Sequence, residues 1–168
     1  FLMRLTDMFM TFPSLVIIIT VASAMGPSVY NAMLVIGLLT WPSIARLVRG
    51  QFLTLREQQF VRAARSIGVS DWEIVFKHIF PNTISSIAVA VTFGVANAIL
   101  LEASLSFLGL GVSIPMPSLG SLAADARSGL NSYPFLLIFP SISIFLIVLS
   151  FNLLGNGLRD AFDPKLRS

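Results

Sequence analysis

The chain has 168 residues, of which 55% are hydrophobic and only 11% are charged, and its mean hydropathy is +0.86. Soluble domains carry roughly 25% charged residues, so the composition excludes an ordinary soluble domain and places the chain in a lipid bilayer. The net charge of +3 does not indicate a nucleic-acid partner, because the basic residues are confined to a few short segments. Cysteine is absent and His78 is the only histidine, so we expect neither disulfides nor a metal site.

Charge-free runs predict the first membrane spans. Residues 8–45 carry no charged side chain, which is long enough for two crossings of about 20 residues each. Gly26 and Pro27 form a natural break within this run. We therefore predict two spans, at residues 9–25 and 31–45.

Two further uncharged runs complete the predicted bundle. Residues 79–101 carry no charge and predict a third span that begins near Pro81. Residues 128–158 are also uncharged and predict a fourth span, centred on 135–154. The expected fold is an all-α, polytopic transmembrane bundle of about four spans.

The N-terminal residues also match part of a secretory signal peptide, since Arg4 precedes an apolar run and the small residues at 22–24. Asp7 and Pro13 fit that pattern poorly, and a second apolar run follows at once. The sequence therefore favours a membrane span over a cleaved leader. Because the chain begins with Phe1 and not with methionine, we expect a partial domain that lacks upstream spans.

The positions of lysine and arginine predict the orientation. The connection between the second and third predicted spans holds most of the basic residues, and the C-terminal tail holds a second group. They are Arg46, Arg49, Arg56, Arg62, Arg65 and Lys77 in the connection, and Arg159, Lys165 and Arg167 in the tail. Both segments, and so both ends of the chain, are expected in the cytoplasm by the positive-inside rule. Connection 108–133 has only Arg127 beside Asp125 and is expected outside.

The cytoplasmic connection contains a charged segment, residues 55–81, whose pattern predicts two short helices. The first helix is amphipathic. Its predicted buried face holds Leu53, Phe60, Ala64 and Ile67, and its predicted polar face holds Gln58, Arg62 and Arg65. Gly68 suits the left-handed position that ends a helix.

The second helix is predicted to begin at Ser70, because Ser70 and Glu73 have the spacing of a capping box. Glu73 is expected to pair with Lys77 one turn later. The residues predicted to share one face of this helix are Trp72, Val75, Phe76 and Ile79. The turn at 68–71 then projects between two anchored helices. It is either an ordinary structured loop of a membrane protein or a surface that docks on a partner.

This segment resembles the EAA loop of ABC importer permeases. In order, it has Ala63-Ala64, three residues, Gly68, nine residues and His78-Ile-Phe-Pro81. Arg62 stands where the loop usually has glutamate, and Phe80 stands where it usually has leucine.

Other segments are similar to the second permease subunit of dipeptide, oligopeptide and nickel importers. They are residues 12–15, 41–50, 102–111, 117–120 and 151–167. The resemblance implies one type I importer transmembrane domain over residues 1–168, with a cytoplasmic EAA-type coupling loop at 46–82. The family typically has six spans, so the resemblance also implies that the first spans are missing.

The resemblance further implies mechanical work in a bacterial or archaeal plasma membrane. A second permease subunit completes the pathway, an extracytoplasmic solute-binding protein delivers the solute, and cytoplasmic ATPases bind the ATP. No cofactor is then expected on this chain. The residues that the resemblance assigns to ATPase coupling are Arg62, Ala63, Ala64, Gly68, Val69, Ser70, Asp71, Trp72, Glu73, His78 and Pro81.

The sequence contains no phosphate-binding Gly-x-x-x-x-Gly-Lys-[Ser/Thr] segment. The glycine pairs at 109–111 and 155–157 are predicted to be turns at span ends. Since His78 belongs to the coupling loop, no histidine is left to activate a serine. We expect no catalytic residue, and hence a chain that is not an enzyme.

Glu102 ends a long apolar run, and Asn97 lies a turn deeper, so both are candidates for the pathway or a gate. The simpler interpretation is that Glu102 reaches the water at the headgroups. Two functional alternatives stay open. One is import of nickel or another solute by the same family. The other is an ATP-independent channel or secondary carrier, although ion coupling would need ionisable groups at the bilayer midplane, where the predicted spans have essentially none.

Overall fold

The computed structural model describes residues 2–112 and 115–162. Within these ranges every regular element is helical, which confirms the all-α fold. The helices are α1 (Leu2–Thr11), α2 (Ser14–Met25), α3 (Val29–Arg56), α4 (Gln59–Ser66), α5 (Asp71–Glu73), α6 (Phe80–Phe107), α7 (Leu119–Ala126) and α8 (Phe135–Phe162). A π-helical segment, Ile74–Ile79, joins α5 to α6, and a 3-10 turn, Arg127–Gly129, follows α7. The predicted tail residues Lys165 and Arg167 lie outside the described residues.

Three helices in the described part of the chain are long and apolar enough to cross a membrane. They are α3, α8 and the continuous helix Asp71–Phe107. Both α3 and α8 have 28 residues, which corresponds to about 42 Å at 1.5 Å per residue. This exceeds the roughly 30 Å of a hydrocarbon core. The predicted second, third and fourth spans are therefore present, but each helix extends beyond the charge-free run that predicted it.

The first predicted span, at residues 9–25, is wrong as a single helix. The helices α1 and α2 meet at an angle of 85°, because Pro13 has no amide hydrogen to donate and disfavours a helical conformation at the residue before it. The 12 residues of α2 reach only about 18 Å. The pair counts at most as one broken span, which gives three crossings or up to four in the described residues.

Two contacts hold α1 against α3. The Arg46 guanidinium donates to Asp7 Oδ1 at 2.8 Å, and the rings of Phe9 and Trp41 meet edge to face with centroids 6.0 Å apart. The ion pair is largely exposed and contributes at most about 1 kcal/mol. It nevertheless places the charged part of α1 beside the basic end of α3, a contact that the sequence analysis did not predict.

The core of the bundle lies where α2, α3 and α6 meet. It is built from the buried side chains of Ile18, Ala22, Ala32, Val35, Ile36 and Leu105. Alanine at two of these positions allows close approach of the helices, as is usual in membrane proteins. Gly26 has a φ of 82°, and the Asn31 side chain donates to the Met25 and Gly26 carbonyls. The predicted break between the first two runs is thereby confirmed.

The short helix α7 folds back onto the end of α6. It begins with a reciprocal cap in which Ser118 and Ser121 each donate a backbone amide to the other's hydroxyl, at 2.9 and 3.1 Å. Gly120 touches the α6 backbone: a Cβ there would lie against the Ala103 carbonyl and 2.7 Å from Ala103 Cα. Sequence analysis predicted only a connection here.

Glycine has different roles at the two predicted span-end turns. Gly109 has a φ of 78° and its amide donates to the Ser106 carbonyl at 3.0 Å, so the turn that ends α6 is confirmed. The prediction for 155–157 is wrong, because both glycines lie inside α8. Gly155 packs against the Phe93 ring, and a Cβ there would lie 2.9 Å from Phe93 Cζ. The absence of a side chain brings α8 close to α6 at this point.

We predict that Gly120→Ala destabilises the fold by about 1–3 kcal/mol, because the added methyl meets backbone atoms that have little room to move. Gly157→Ala is the matched control, since a Cβ there meets nothing within 4 Å and alanine favours a helix by roughly 0.5–1 kcal/mol. Thermal unfolding of the detergent-solubilised protein measures both. Equal stability of the two variants would contradict the close contact of α7 with α6.

Candidate coupling site

The turn after α4 has the geometry predicted for it. Gly68 has a φ of 84°, the left-handed conformation that residues with a Cβ resist. Its amide donates to the Arg65 carbonyl at 3.1 Å, and the Val69 amide donates to the Ala64 carbonyl at 3.2 Å. These are the two bonds of a Schellman motif. Val69 also packs beside Ala64, which adds the apolar contact that often accompanies the motif.

The second helix begins where Ser70 predicts it. The Ser70 hydroxyl accepts a hydrogen bond from the Glu73 amide at 3.3 Å. The Glu73 carboxylate accepts from Lys77 Nζ at 3.1 Å, which confirms their predicted pairing. It does not return to the Ser70 amide, so the second half of the predicted capping box is wrong. Arg65 and Asp71 form an ion pair across the turn at 3.1 Å.

An apolar contact fastens α4 to the segment that follows the turn. We call its four buried side chains the inner cluster: Val61, Ala64, Ile74 and Ile79. Around them pack the partly buried Phe52, Leu55 and Val69. The turn at 68–71 therefore has an apolar support on both sides, and its position relative to α3 is fixed.

The predicted buried face of the first helix is largely wrong. Phe60 is exposed, and Ile67 is 80% exposed. Leu53 belongs to α3 and is also exposed. The error arises because α4 begins only at Gln59, so the predicted face joined residues from two helices, and only Ala64 of the four predicted residues is buried.

The π-helical segment explains a second error. Sequence analysis grouped Ile79 with Trp72 and Phe76 on the assumption of 3.6 residues per turn. The Phe80 amide instead donates to the Val75 carbonyl, five residues earlier. In such a segment the bonds join residues five apart and each turn holds more residues than in an α-helix, so Ile79 faces inward together with Ile74.

The opposite face carries an exposed row of rings. We call Trp72, Phe76 and Phe80 the aromatic stripe. The Trp72 and Phe76 rings stack with centroids 5.8 Å apart and planes 10° apart, and Phe76 and Phe80 are 6.5 Å apart. Trp72 is 75% exposed and Phe76 is 60% exposed. Contiguous apolar surface of this kind, rimmed by charges, is typical of a protein–protein contact.

The remaining residues of the predicted coupling loop lie in the same region. Arg62 is exposed on α4 and pairs with Glu57 at 3.6 Å. His78 is half-buried, and its carbonyl accepts from Asn82 Nδ2 at 2.6 Å. Pro81 is exposed in the first turn of α6. The structure thus brings the predicted loop residues together as one folded surface.

The two predicted pathway residues lie apart from this surface. Asn97 lines a cavity of 1220 Å³ between α1, α2, α3, α6 and α8. Glu102 ends the uncharged run, as predicted, and lies inside α6, which continues to Phe107. Its carboxylate accepts from Ser106 Oγ at 2.6 Å, and Ser106 Oγ in turn accepts from the Val112 amide at 3.1 Å. Within the described residues no lysine, arginine or histidine pairs with Glu102.

Several further polar side chains line the same cavity and were not predicted as pathway residues. They are Ser14, Thr40, Ser43 and Asn152. Thr40 and Asn152 donate to carbonyls of their own helices, at 2.8 Å in each case, which makes them compatible with an apolar environment. In the sequence, each of these residues is a polar side chain within an uncharged run, which is the pattern that could have indicated a cavity-lining position. The cavity offers hydroxyls and amides, and its described lining contains no charged group.

The fold is a bundle of apolar helices long enough to cross a membrane, with a structured turn at residues 68–71. The chain belongs to the family of binding-protein-dependent transport system inner membrane components, whose family model matches residues 1–168. This is a family of transport permeases and not a class of enzymes.

Individual relatives share nearly the whole chain. A glutathione transport system permease protein, GsiD, of Pectobacterium atrosepticum is 46% identical over 99% of this chain and 56% of its own length. GsiD of Salmonella typhimurium is 45% identical over 99% of this chain and 55% of its own. A dipeptide transport system permease protein, DppC, of Alkalihalophilus pseudofirmus is 43% identical over 98% and 54%. The chain spans about half the length of the curated relatives it matches.

We predict that Gly68→Val opens the turn, because a left-handed residue with a Cβ costs about 1–2 kcal/mol. Hydrogen exchange of the Val69 amide is then expected to accelerate about tenfold, a change that corresponds to 1.4 kcal/mol. Gly68→Asn is the control, since asparagine tolerates this conformation better. Equal protection of Val69 in the two variants would show that the backbone conformation at Gly68 does not hold the turn.

Proposed function

We propose that this chain is a transmembrane permease subunit of an ATP-driven ABC importer for short peptides. The family membership supports the transport role, and the relatives are named for glutathione and for dipeptides. The observation that carries the proposal is the aromatic stripe. It is exposed on the charged, membrane-flanking side of the bundle, and the inner cluster holds it in place.

The stripe is connected directly to a membrane span. Its three rings lie on the first turns of the helix Asp71–Phe107, which has 37 residues and a length of about 55 Å. A force applied to the stripe is therefore transmitted directly to α6. This helix packs against α3, α7 and α8. Displacement of one helix against packed neighbours is a common way to switch between two arrangements of a bundle. Residues 46–82 would act as the coupling region.

ATP is bound and hydrolysed on other chains in this proposal. The sequence has no phosphate-binding loop, whereas the stripe offers three aromatic side chains of the type that is enriched in protein interfaces. The partners are cytoplasmic ATPase subunits, a second permease subunit and an extracytoplasmic solute-binding protein. This chain contributes a transmembrane unit and a docking surface, and no catalytic group.

Asn97 and Glu102 are proposed to act on the pathway or its gate. Asn97 faces the large cavity. Glu102 and Ser106 tie the end of α6 to the loop at Val112. A carboxylate within a membrane helix is costly unless it is solvated or paired, which supports a role at a position where the bundle opens to water.

We also propose an inner-membrane location with both chain ends in the cytoplasm. Most basic residues lie between Arg46 and Lys77, as the positive-inside rule requires of a cytoplasmic segment. The coupling region then faces the compartment that contains ATP.

Labelling of single cysteines tests this orientation, since the native chain has none. We expect Ser70→Cys to be protected from a membrane-impermeant maleimide in intact cells and to react after permeabilisation. Asn131→Cys is expected to react in intact cells. Both positions are exposed in the fold, so a difference reports on sidedness. The reverse pattern would place the stripe outside the cell and exclude ATPase docking.

Two phenylalanines of equal exposure test the docking surface. Phe76 is 60% exposed and belongs to the stripe, whereas Phe145 is 61% exposed on α8, far along the chain. We expect Phe76→Ala to weaken ATPase association at least about tenfold, as loss of an interface aromatic typically costs more than 1 kcal/mol. Phe145→Ala should leave it unchanged. Copurification at several ATPase concentrations gives both affinities, and equal affinities would argue against the stripe as the docking surface.

A further inference from the structure

The helix Asp71–Phe107 is interrupted in its bonding at one place. Between Ile74 and Ile79 the backbone forms a π-helix, with the Phe80 amide bonded to the Val75 carbonyl. Such a segment contains one residue more than an α-helix would over the same turns, and π-bulges frequently occur at functional sites. This one lies between the aromatic stripe's first ring, Trp72, and the membrane part of α6.

Pro81, next to the segment, disfavours regular α-helical bonding there. Pro81 has no amide to donate, and in an α-helix its ring would clash with the carbonyl of Lys77, four residues earlier. Asn82 Nδ2 donates to the His78 carbonyl at 2.6 Å. Thr83 is fully buried and its hydroxyl donates to the Phe80 carbonyl at 2.7 Å. Hydrogen bonds from the Asn82 and Thr83 side chains are thus present where Pro81 interrupts the backbone hydrogen bonds of the helix.

Burial of the inner cluster depends on the π form. In the π segment Ile74 and Ile79 lie on the same side and are both buried. In a regular α-helix, residues five apart are separated by about 140° around the axis. The α form would therefore withdraw one of the two isoleucines from Val61 and Ala64.

We propose that Ile74–Ile79 is a register hinge of the importer, and that Pro81 and Asn82 are the positioning residues that hold it in its π form. This inference rests on the proposed docking of the stripe on an ATPase. When the docked stripe moves, the segment changes to α-helical bonding and shifts Trp72, which precedes the segment, relative to α6 by about one residue, or 1.5 Å along the axis. The hinge then sets how much of the ATPase movement reaches the span.

Deletion of Val75 tests the hinge. Removing one residue converts a π segment into an α-helix and keeps the flanking helix faces in place, because a π-bulge is a one-residue excess. Val75 is half-buried and belongs to neither the stripe nor the inner cluster. We expect normal membrane insertion and ATPase affinity within about twofold, but a loss of about tenfold or more in solute taken up per ATP hydrolysed. Val75→Ala keeps the length and should transport normally.

Asn82→Ala is a milder test that leaves the chain length unchanged. It removes the bond to His78 and is expected to lower the uptake-to-hydrolysis ratio about threefold, within the range of a single coupling contact. The control is Thr92→Ala, which removes a comparable bond, Thr92 Oγ1 to the Ala88 carbonyl at 2.9 Å, deeper in the same helix. A loss confined to Asn82→Ala supports the hinge. Equal losses in the two variants would mean that Asn82 only stabilises α6.

If the deletion variant does not insert into the membrane, hydrogen exchange on the unaltered assembly tests the hinge. Amides 75–80 are expected to change protection at least about tenfold between the resting and the ATP-bound assembly, while amides 85–100 change little. Unchanged protection at 75–80 overturns the hinge, as does full uptake per ATP after deletion of Val75. A deletion variant that loses ATPase affinity tenfold also overturns it, since the segment would then belong to the docking surface. If Phe76→Ala leaves ATPase affinity intact, the docking proposal itself fails, whatever the hinge does.

Discussion

Burial of Ile74 and Ile79 against Val61 and Ala64 is the contact on which the turn at 68–71 and the aromatic stripe depend. Full burial of one isoleucine contributes about 1.5–3 kcal/mol, more than any exposed ion pair around the turn. The cluster joins α4 to the start of the long helix, and Gly68 closes the turn between them. Because both isoleucines point inward, Trp72 and Phe76 are left on the outside. The same contact that fixes the turn thus produces its exposed aromatic surface.

The membrane part of the fold depends on close packing of helices that have little hydrophobic reason to associate inside lipid. Small residues provide it: Ala22 and Ala32 between α2 and α3, Gly120 against α6, and Gly155 against Phe93. As a result α6 is in contact with every other long helix. It is also the helix that continues from the aromatic stripe. A displacement of its N-terminal end would therefore act on the packing of the other long helices.

Local chemistry made part of this structure predictable. Gly68 and Ser70 determine their backbone conformation through bonds within a few residues, so the turn and the helix start followed from the sequence. The buried face of α4 could not be predicted in this way. Which residues face inward depends on where the helix begins and on how α4 packs against α3 and Ile74. The π segment was not predicted because a period of 3.6 residues per turn was assumed. Pro81 was the residue in the sequence that indicated an interruption of the α-helical bonding. The break at Pro13 had a local signal, because proline disfavours a continuous helix. The docking of α7 depends on tertiary contacts with α6 that no local pattern contains.

A photo-crosslinking amino acid at position 72, in the assembled importer, tests the central claim most directly. The indole of Trp72 lies at the exposed end of the stripe, so the proposed docking predicts efficient crosslinks to an ATPase subunit. The same probe at position 145, on the exposed face of α8, should give none. Crosslinks from position 72 only to lipid, or to the second permease subunit, would contradict the account.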